Sequence, residues 1–229
     1  ARARGTYLNI PDYYFLVGSN KVAMGYREVN WSLPRERQII LGRQNIYDGT
    51  WTKTPTMGWM FVPLTEYHGG GAAATLEPLR EHLPAYEAHL VNNLAAGVQA
   101  CYRGPRLYDS EETKALVKEW VGWFKRHRAI LESDVVHLRR ADGRDLDGLL
   151  HVNPALPERG MAVLWNPLAE AVDRDVVLPL YHTGLTERAL VREQDSPGRV
   201  VTLGRDHSVS VRVRIAAGGF TWLVIEEAP

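Results

Sequence analysis

Three carboxylates early in the chain, Asp12, Glu28 and Asp48, stand where they could do proton or nucleophile chemistry. Asp12 closes the strand-like run YLNIPD among tyrosines, where burial would raise its pKa and suit it to act as an acid. Glu28, in GYREVNW, is flanked by Arg27 and lies near Lys21 and Arg35, which would keep it ionised; Asp48 follows in NIYDGTW. A pair of carboxylates about 5 to 9.5 Å apart is what cleavage of a glycosidic bond uses, one protonating the leaving oxygen while the other attacks or activates water. Each of the three, taken singly, also reads as half of a scaffold ion pair.

The surroundings point the same way. Eleven of the 21 aromatic residues fall within the first 67 positions, interleaved with amides, carboxylates and guanidiniums. A pyranose needs that mixture, because its C–H faces stack on rings while its hydroxyls need oriented polar partners. Trp31, Trp51, Trp59 and Tyr102 are the expected stacking faces, and Arg35, Arg43, His68 and Arg103 the expected hydroxyl partners. The competing reading is a barrel core that uses large aromatics and pairs its charges.

Other chemistries have less behind them. HGGG at 68–71 invites an oxyanion hole, yet no Gly-x-Ser-x-Gly follows, and no Gly-Lys-Ser/Thr supports a phosphate loop. A flexible turn is the simpler account. No metal site and no cofactor is expected: His-Glu-x-x-His and paired Cys spacings are missing, and ADGRDLDG has Arg144 where a calcium ligand should stand. The 27 basic and 27 acidic residues give no net field, which argues against nucleic acid and anionic membranes as partners. No apolar run approaches the ~20 residues of a membrane span. Cys101 cannot form an internal disulfide, and this leaves the compartment open, extracellular or periplasmic included.

The elements that must position these groups fall into two kinds. Over 1–133 the short apolar runs TYLNIPDYYFLV, RQIILG, GWMFVPL and GVQACY read as buried parallel strands. A helix is expected from a Thr75 cap through Leu79, Leu83, Tyr86, Leu90 and Leu94 to Gly97, with Pro84 dividing or kinking it. A second helix is expected to open on an Asp109/Glu112 capping box and to carry Leu116, Val117, Trp120, Val121, Phe124 and Leu131 on one face. Over 134–229, DVVHLRR, LLHVNP, MAVLWNP, DVVLPLY, RVVTL, SVSVRVRI and FTWLVIE read as strands of an antiparallel β-sandwich, with Val209, Val211, Val213 and Ile215 on its inner face. The fold class is thus α/β followed by all-β.

The order of GWMFVPL, a long helix, GVQACYRGPRLYDSEETKALVKEWVGWFKRHRAIL and a strand-rich tail with LHVNP and LWNP resembles the C-terminal half of an α-galactosidase-type glycoside hydrolase. The resemblance implies the last strands and helices of a (β/α)8 barrel over 1–133 followed by the sandwich over 134–229. It also implies an exo-acting α-glycosidase working by a retaining route, with Asp12 or Asp48 at the acid/base position and the nucleophile in a part not present. The family's Lys-Tyr-Asp or Lys-Trp-Asp nucleophile motif is missing here. Four strands cannot close a barrel, so an additional polypeptide, or a preceding part of the same protein, is expected to supply the rest. The alternative function is a glycan-binding or assembly module that does not cleave.

Overall fold

The computed structural model describes residues 32–52, 54–65 and 70–229, and the chain divides into two compact units, 1–128 and 129–229. The expected first strand TYLNIPDYYFLV and the candidates Asp12, Glu28, Trp31 and His68 lie outside the described residues.

In the first unit, α1 (Arg35–Gly49) leads to β1 (Trp59–Pro63), α2 (Leu83–Leu94), β2 (Gln99–Arg103) and α3 (Glu111–Leu131). RQIILG, expected as a strand, lies within α1. Three consecutive aliphatic residues suggested a strand, but the buried positions are Gln38, Gly42, Arg43, Asn45 and Ile46, three to four apart as on one helix face. Pro34 starts the helix, its carbonyl accepting the N–H groups of Arg37 (2.9 Å) and Gln38 (3.0 Å).

GWMFVPL and GVQACY do form strands. They pair in parallel, from Trp59 beside Gln99 to Pro63 beside Arg103, and α2 lies in the connection that parallel pairing requires. The helix expected from Thr75 onward is broken: Leu79–Glu81 is a single 3-10 turn, and α2 starts only at Leu83. Pro84 therefore sits in a first turn, where its missing N–H costs nothing. Thr75 bonds through its hydroxyl to the Leu64 carbonyl (3.4 Å) and the Glu77 N–H (3.3 Å) instead of capping. The stop holds, with Gly97 at φ +69° just past Leu94.

The cap of α3 is one residue later than expected. Thr113 N–H donates to Ser110 Oγ (3.1 Å) and Ser110 N–H to Thr113 Oγ1 (3.0 Å), a reciprocal pair. The helix buries Trp120 and Trp123, whose rings meet edge to face at 5.6 Å, and Trp120 Nε1 donates to Glu87 of α2 (3.0 Å).

The second unit holds β3 (Asp134–Arg139), β4 (Asp147–Val152), β5 (Glu158–Trp165), β6 (Val172–Pro179), β7 (Arg188–Glu193), β8 (Arg199–Thr202), β9 (Ser208–Ile215) and β10 (Phe220–Glu227). All pair antiparallel, in one sheet ordered β3-β4-β5-β10-β7-β8 and a second of β6 and β9. Leu150, Ala162, Leu164, Val191, Leu223 and Ile225 of the first sheet and Leu178, Val209, Val211, Val213 and Ile215 of the second share one apolar cluster. β9 alternates as its sequence requires, its outer Arg212 reaching Asp173 (2.6 Å) and Asp175 (3.7 Å) across on β6. The strand the sequence hid is β7, RALVRE, whose apolar core is framed by charges.

Candidate functional site at the strand ends

Parallel βα units gather ligand groups beyond the carboxyl ends of their strands. Here those ends are Pro63–Leu64 and Arg103–Gly104, locked by the Leu64 N–H donating to the Arg103 carbonyl (2.9 Å). Gly104 makes this approach possible, since a Cβ on it would lie 2.4 Å from Leu64 Cβ.

Register and pleat put Trp59, Phe61 and Pro63 on the same sheet face as Cys101 and Arg103. Along that face Trp59 meets Phe61 edge-on at 4.8 Å, and the Arg103 guanidinium lies over the Phe61 ring at 5.1 Å. The result is a row of two rings and a cation running toward the carboxyl end, the geometry of a cation–π contact. Tyr102 takes the opposite face, where burial pushes its phenol pKa up. Burial, reinforced by Tyr102 and then Asp109, does the same to Tyr86 of α2, whose hydroxyl donates to the Leu107 carbonyl (2.6 Å).

The loop that follows β1 is tied down by α1. Arg35 Nη1 donates to the carbonyls of Ala72 (2.5 Å) and Thr75 (2.7 Å), and Gln38 Nε2 to that of Ala74 (2.9 Å). Arg35, expected to hold substrate hydroxyls, thus anchors the 72–75 backbone. Arg43, expected to do the same, is buried between α1 and α2 with Nη1 3.4 Å from Asn92 Oδ1. Asn92 returns a hydrogen bond to the Ile39 carbonyl (3.0 Å), so both groups belong to the contact between these helices.

Asp48, the one described carboxylate of the expected catalytic set, is exposed in the last turn of α1. Trp51 is 66% exposed just beyond, 6.4 Å edge-on from Tyr47. Both belong to the segment entering the amino end of β1, away from Arg103. The structure therefore joins Trp59 with Arg103, puts Arg35 under the loop after β1, and leaves Asp48, Trp51 and Arg43 apart from them.

Groups that the sequence reading passed over gather at the strand ends. Glu77 N–H donates to the Leu64 carbonyl (3.0 Å), and its carboxylate faces Arg106 Nε at 3.3 Å. Asp109 accepts the Arg80 N–H (3.2 Å) and the Thr113 hydroxyl (3.2 Å). RGPR directly after a strand was the available signal for Arg106; nothing in the local pattern marks Glu77. Arg103 lies over the aromatic row, while the Arg106–Glu77 pair and Asp109 lie in the segments that follow β1 and β2.

Among the described residues, no cluster of three or more His, Cys, Asp or Glu could hold a metal ion. In ADGRDLDG, Asp142 accepts the Arg144 N–H (2.9 Å) and pairs with Arg139 (2.7 Å), while Asp145 pairs with Arg174. The Arg144 N–H in the first case and Arg174 in the second hold these carboxyls below the usual range. Nor is any described helix long and apolar enough to cross a membrane.

No protein-family model matches the sequence, and no curated protein does. Solved structures do match the fold. A GH36 α-galactosidase, AgaA from Geobacillus stearothermophilus, solved with raffinose, superposes with a TM-score of 0.57 and 14% identity over 83% of this chain and 24% of its own. A GH27 β-L-arabinopyranosidase from the same organism, solved with arabinose, gives 0.54 and 12% over 88% of this chain and 44% of its own. AmyP, solved with maltose, gives 0.51 and 9% over 92% and 51%. The chain has the fold of α-galactosidase-type glycoside hydrolases and spans about half their length or less.

Proposed function

We propose that this chain is part of a carbohydrate-active hydrolase that releases a terminal sugar, an exo-acting α-glycosidase built as a (β/α) barrel followed by a β-sandwich. The observation that carries the reading is the α-galactosidase-type fold, which places a parallel β1–α2–β2 unit ahead of two antiparallel sheets. Residues 1–133 are then the closing strands and helices of the barrel, and 134–229 the sandwich. The remaining strands come from a preceding part of the same protein or from another polypeptide, since a barrel of this kind needs about eight.

In such a barrel the face of β1 and β2 turned away from α2 looks inward, so Trp59, Phe61 and Arg103 would line the wall beneath the sugar. Arg103 and Arg106 then supply donors for hydroxyls, and Glu77 an acceptor. Asp12 is the proposed acid/base, because an aspartate set among tyrosines in the sequence could hold the proton that the leaving oxygen needs. Glu28 is the proposed companion carboxylate. The neighbours act on α-galactosides and β-L-arabinopyranosides, which differ by an exocyclic CH2OH, and these are the first substrates to try.

The test is turnover of 4-nitrophenyl α-galactoside, β-L-arabinopyranoside and α-glucoside by the complete protein. Asp12→Asn should lower kcat by ~100-fold or more, the range of general acid–base catalysis. Unchanged turnover in the variant removes Asp12 from the mechanism, and a wild type inert toward every glycoside refutes the hydrolase.

A further inference from the structure

An exposed tyrosine stands in the antiparallel unit, on the 3-10 turn Tyr181–Thr183 that follows β6. Tyr181 is 66% exposed, yet its ring is gripped from two directions. His182 meets it nearly perpendicular at 5.3 Å, and His207 does so at 5.4 Å.

His207 is itself held firmly. It sits in the turn 204–208, where Gly204 N–H donates to the Ser208 carbonyl (2.8 Å) and His207 N–H to that of Gly204 (2.9 Å). Its own carbonyl accepts the Leu180 N–H (2.8 Å), and its Nδ1 lies 3.2 Å from the Leu185 carbonyl. Facing a carbonyl, Nδ1 must carry the proton, which leaves Nε2 as an acceptor in the neutral ring. The backbone there is left-handed, φ +57°, a conformation a glycine would adopt more easily. The 204–208 turn sets that conformation and holds the imidazole against the tyrosine.

The rim is polar. Asp206 adjoins His207, and its Oδ1 accepts the Ser208 hydroxyl (2.8 Å) and then the Ser208 N–H (3.1 Å), which hold the carboxyl below its usual range. Leading back along the outer face of β6 are Pro179 and Val177, opposite Ser208 and Ser210 of β9. Both β6 residues are exposed, Val177 to 62%. Farther along this face lies the Asp173, Asp175 and Arg212 group.

An exposed ring, an imidazole acceptor, a carboxylate and serine hydroxyls on two neighbouring turns suit a ligand with an apolar C–H face and a rim of hydroxyls. The carboxylate disfavours anions, and a single ring with a polar rim offers little to an apolar peptide. We propose that Tyr181, with His182, His207 and Asp206, forms a non-catalytic binding site for a neutral oligosaccharide. It stands without the hydrolase reading, since such a platform binds whether or not the other unit cleaves.

The test uses the complete protein and neutral galacto-, arabino- and malto-oligosaccharides, with affinity measured by calorimetry and affinity electrophoresis. Tyr181→Ala should weaken binding of the preferred oligosaccharide about tenfold, Asp206→Asn several-fold, and Tyr181→Phe little. Turnover of aryl monoglycosides should be unchanged in all three, so failure of the hydrolase reading shows separately, as a wild type without turnover. Equal affinity of wild type and Tyr181→Ala, or a wild type that binds none of the panel, overturns the site. So does sedimentation showing a dimer that Tyr181→Ala dissolves with no effect on glycan binding, which would give the surface to a second copy.

Discussion

His89 offers a quantitative test of the packing in the first unit. It stands on α2, 3% exposed, and among the described residues its Nε2 has no hydrogen-bond partner. Burial first, and then the Arg43 charge, lowers its pKa from 6.5 to about 4. With the folded value below the unfolded one, the unfolded chain takes up the proton first as pH falls. The stability that His89 confers is therefore complete above about pH 6.5 and drains away as pH drops toward 4. At about 1.4 kcal/mol per unit, the loss is about 2 kcal/mol between pH 7.5 and 5, and about 3 kcal/mol below pH 4. In urea this moves the midpoint by about 1 M. The assay is urea unfolding of wild type and His89→Gln across that range, compared as differences so that the acid titration of carboxylates cancels. His89→Leu gives a second, non-polar replacement. If wild type and both variants lose stability in parallel from pH 7.5 to 5, the buried neutral imidazole is not there and the reasoning fails.

Other perturbations have simpler readouts. Gly104→Ala forces a Cβ to within 2.4 Å of Leu64 Cβ, two backbone-borne atoms that cannot swing aside. It should cost ~1–3 kcal/mol, visible as a fall of several degrees in Tm. Ser110→Ala removes one half of the reciprocal cap of α3 and should cost ~1 kcal/mol in urea unfolding. Leu178→Ala, fully buried between the two antiparallel sheets, should cost ~2–5 kcal/mol. Asp145→Asn breaks only a part-exposed pair with Arg174 and should cost under ~1 kcal/mol, so a reversed ranking of these two by denaturation would contradict the assigned core.

The antiparallel unit was the more legible half because its strands declare themselves. SVSVRVRI can hide every second residue, and LLHVNP, MAVLWNP and FTWLVIE are bounded by turn residues. RALVRE escaped because three of its six residues are ionisable, while the neighbours that bury Ala189 and Val191 are remote in sequence. In the first unit, α1 was misread for a related reason: its inner face carries Gln38, Arg43 and Asn45, so no apolar stripe advertises the helix. Buried polar groups of this kind are satisfied by long-range partners such as the Ala74 carbonyl and Asn92, which local pattern cannot reveal. Candidate site residues followed suit. Composition picked out Trp59 and Arg103, but only the register of β1 against β2 shows that they share a face and Tyr102 does not. Arg35 and Arg43 looked like ligand donors because a guanidinium reads the same whether it faces a sugar or a neighbouring carbonyl.

The sheet order carries a lesson about biogenesis. β10 lies between β5 and β7, so residues 220–227 are the wedge that joins β3-β4-β5 to β7-β8. While a ribosome still holds that segment, the emerging polypeptide has two half-sheets whose facing borders, Met161 to Leu164 and Leu190 to Val191, lack their mate. Such borders recruit strands from other molecules. Closure of this sheet must wait until residues 220–227 have emerged, and a nascent chain stalled at Gly219 would be a client for chaperones until then.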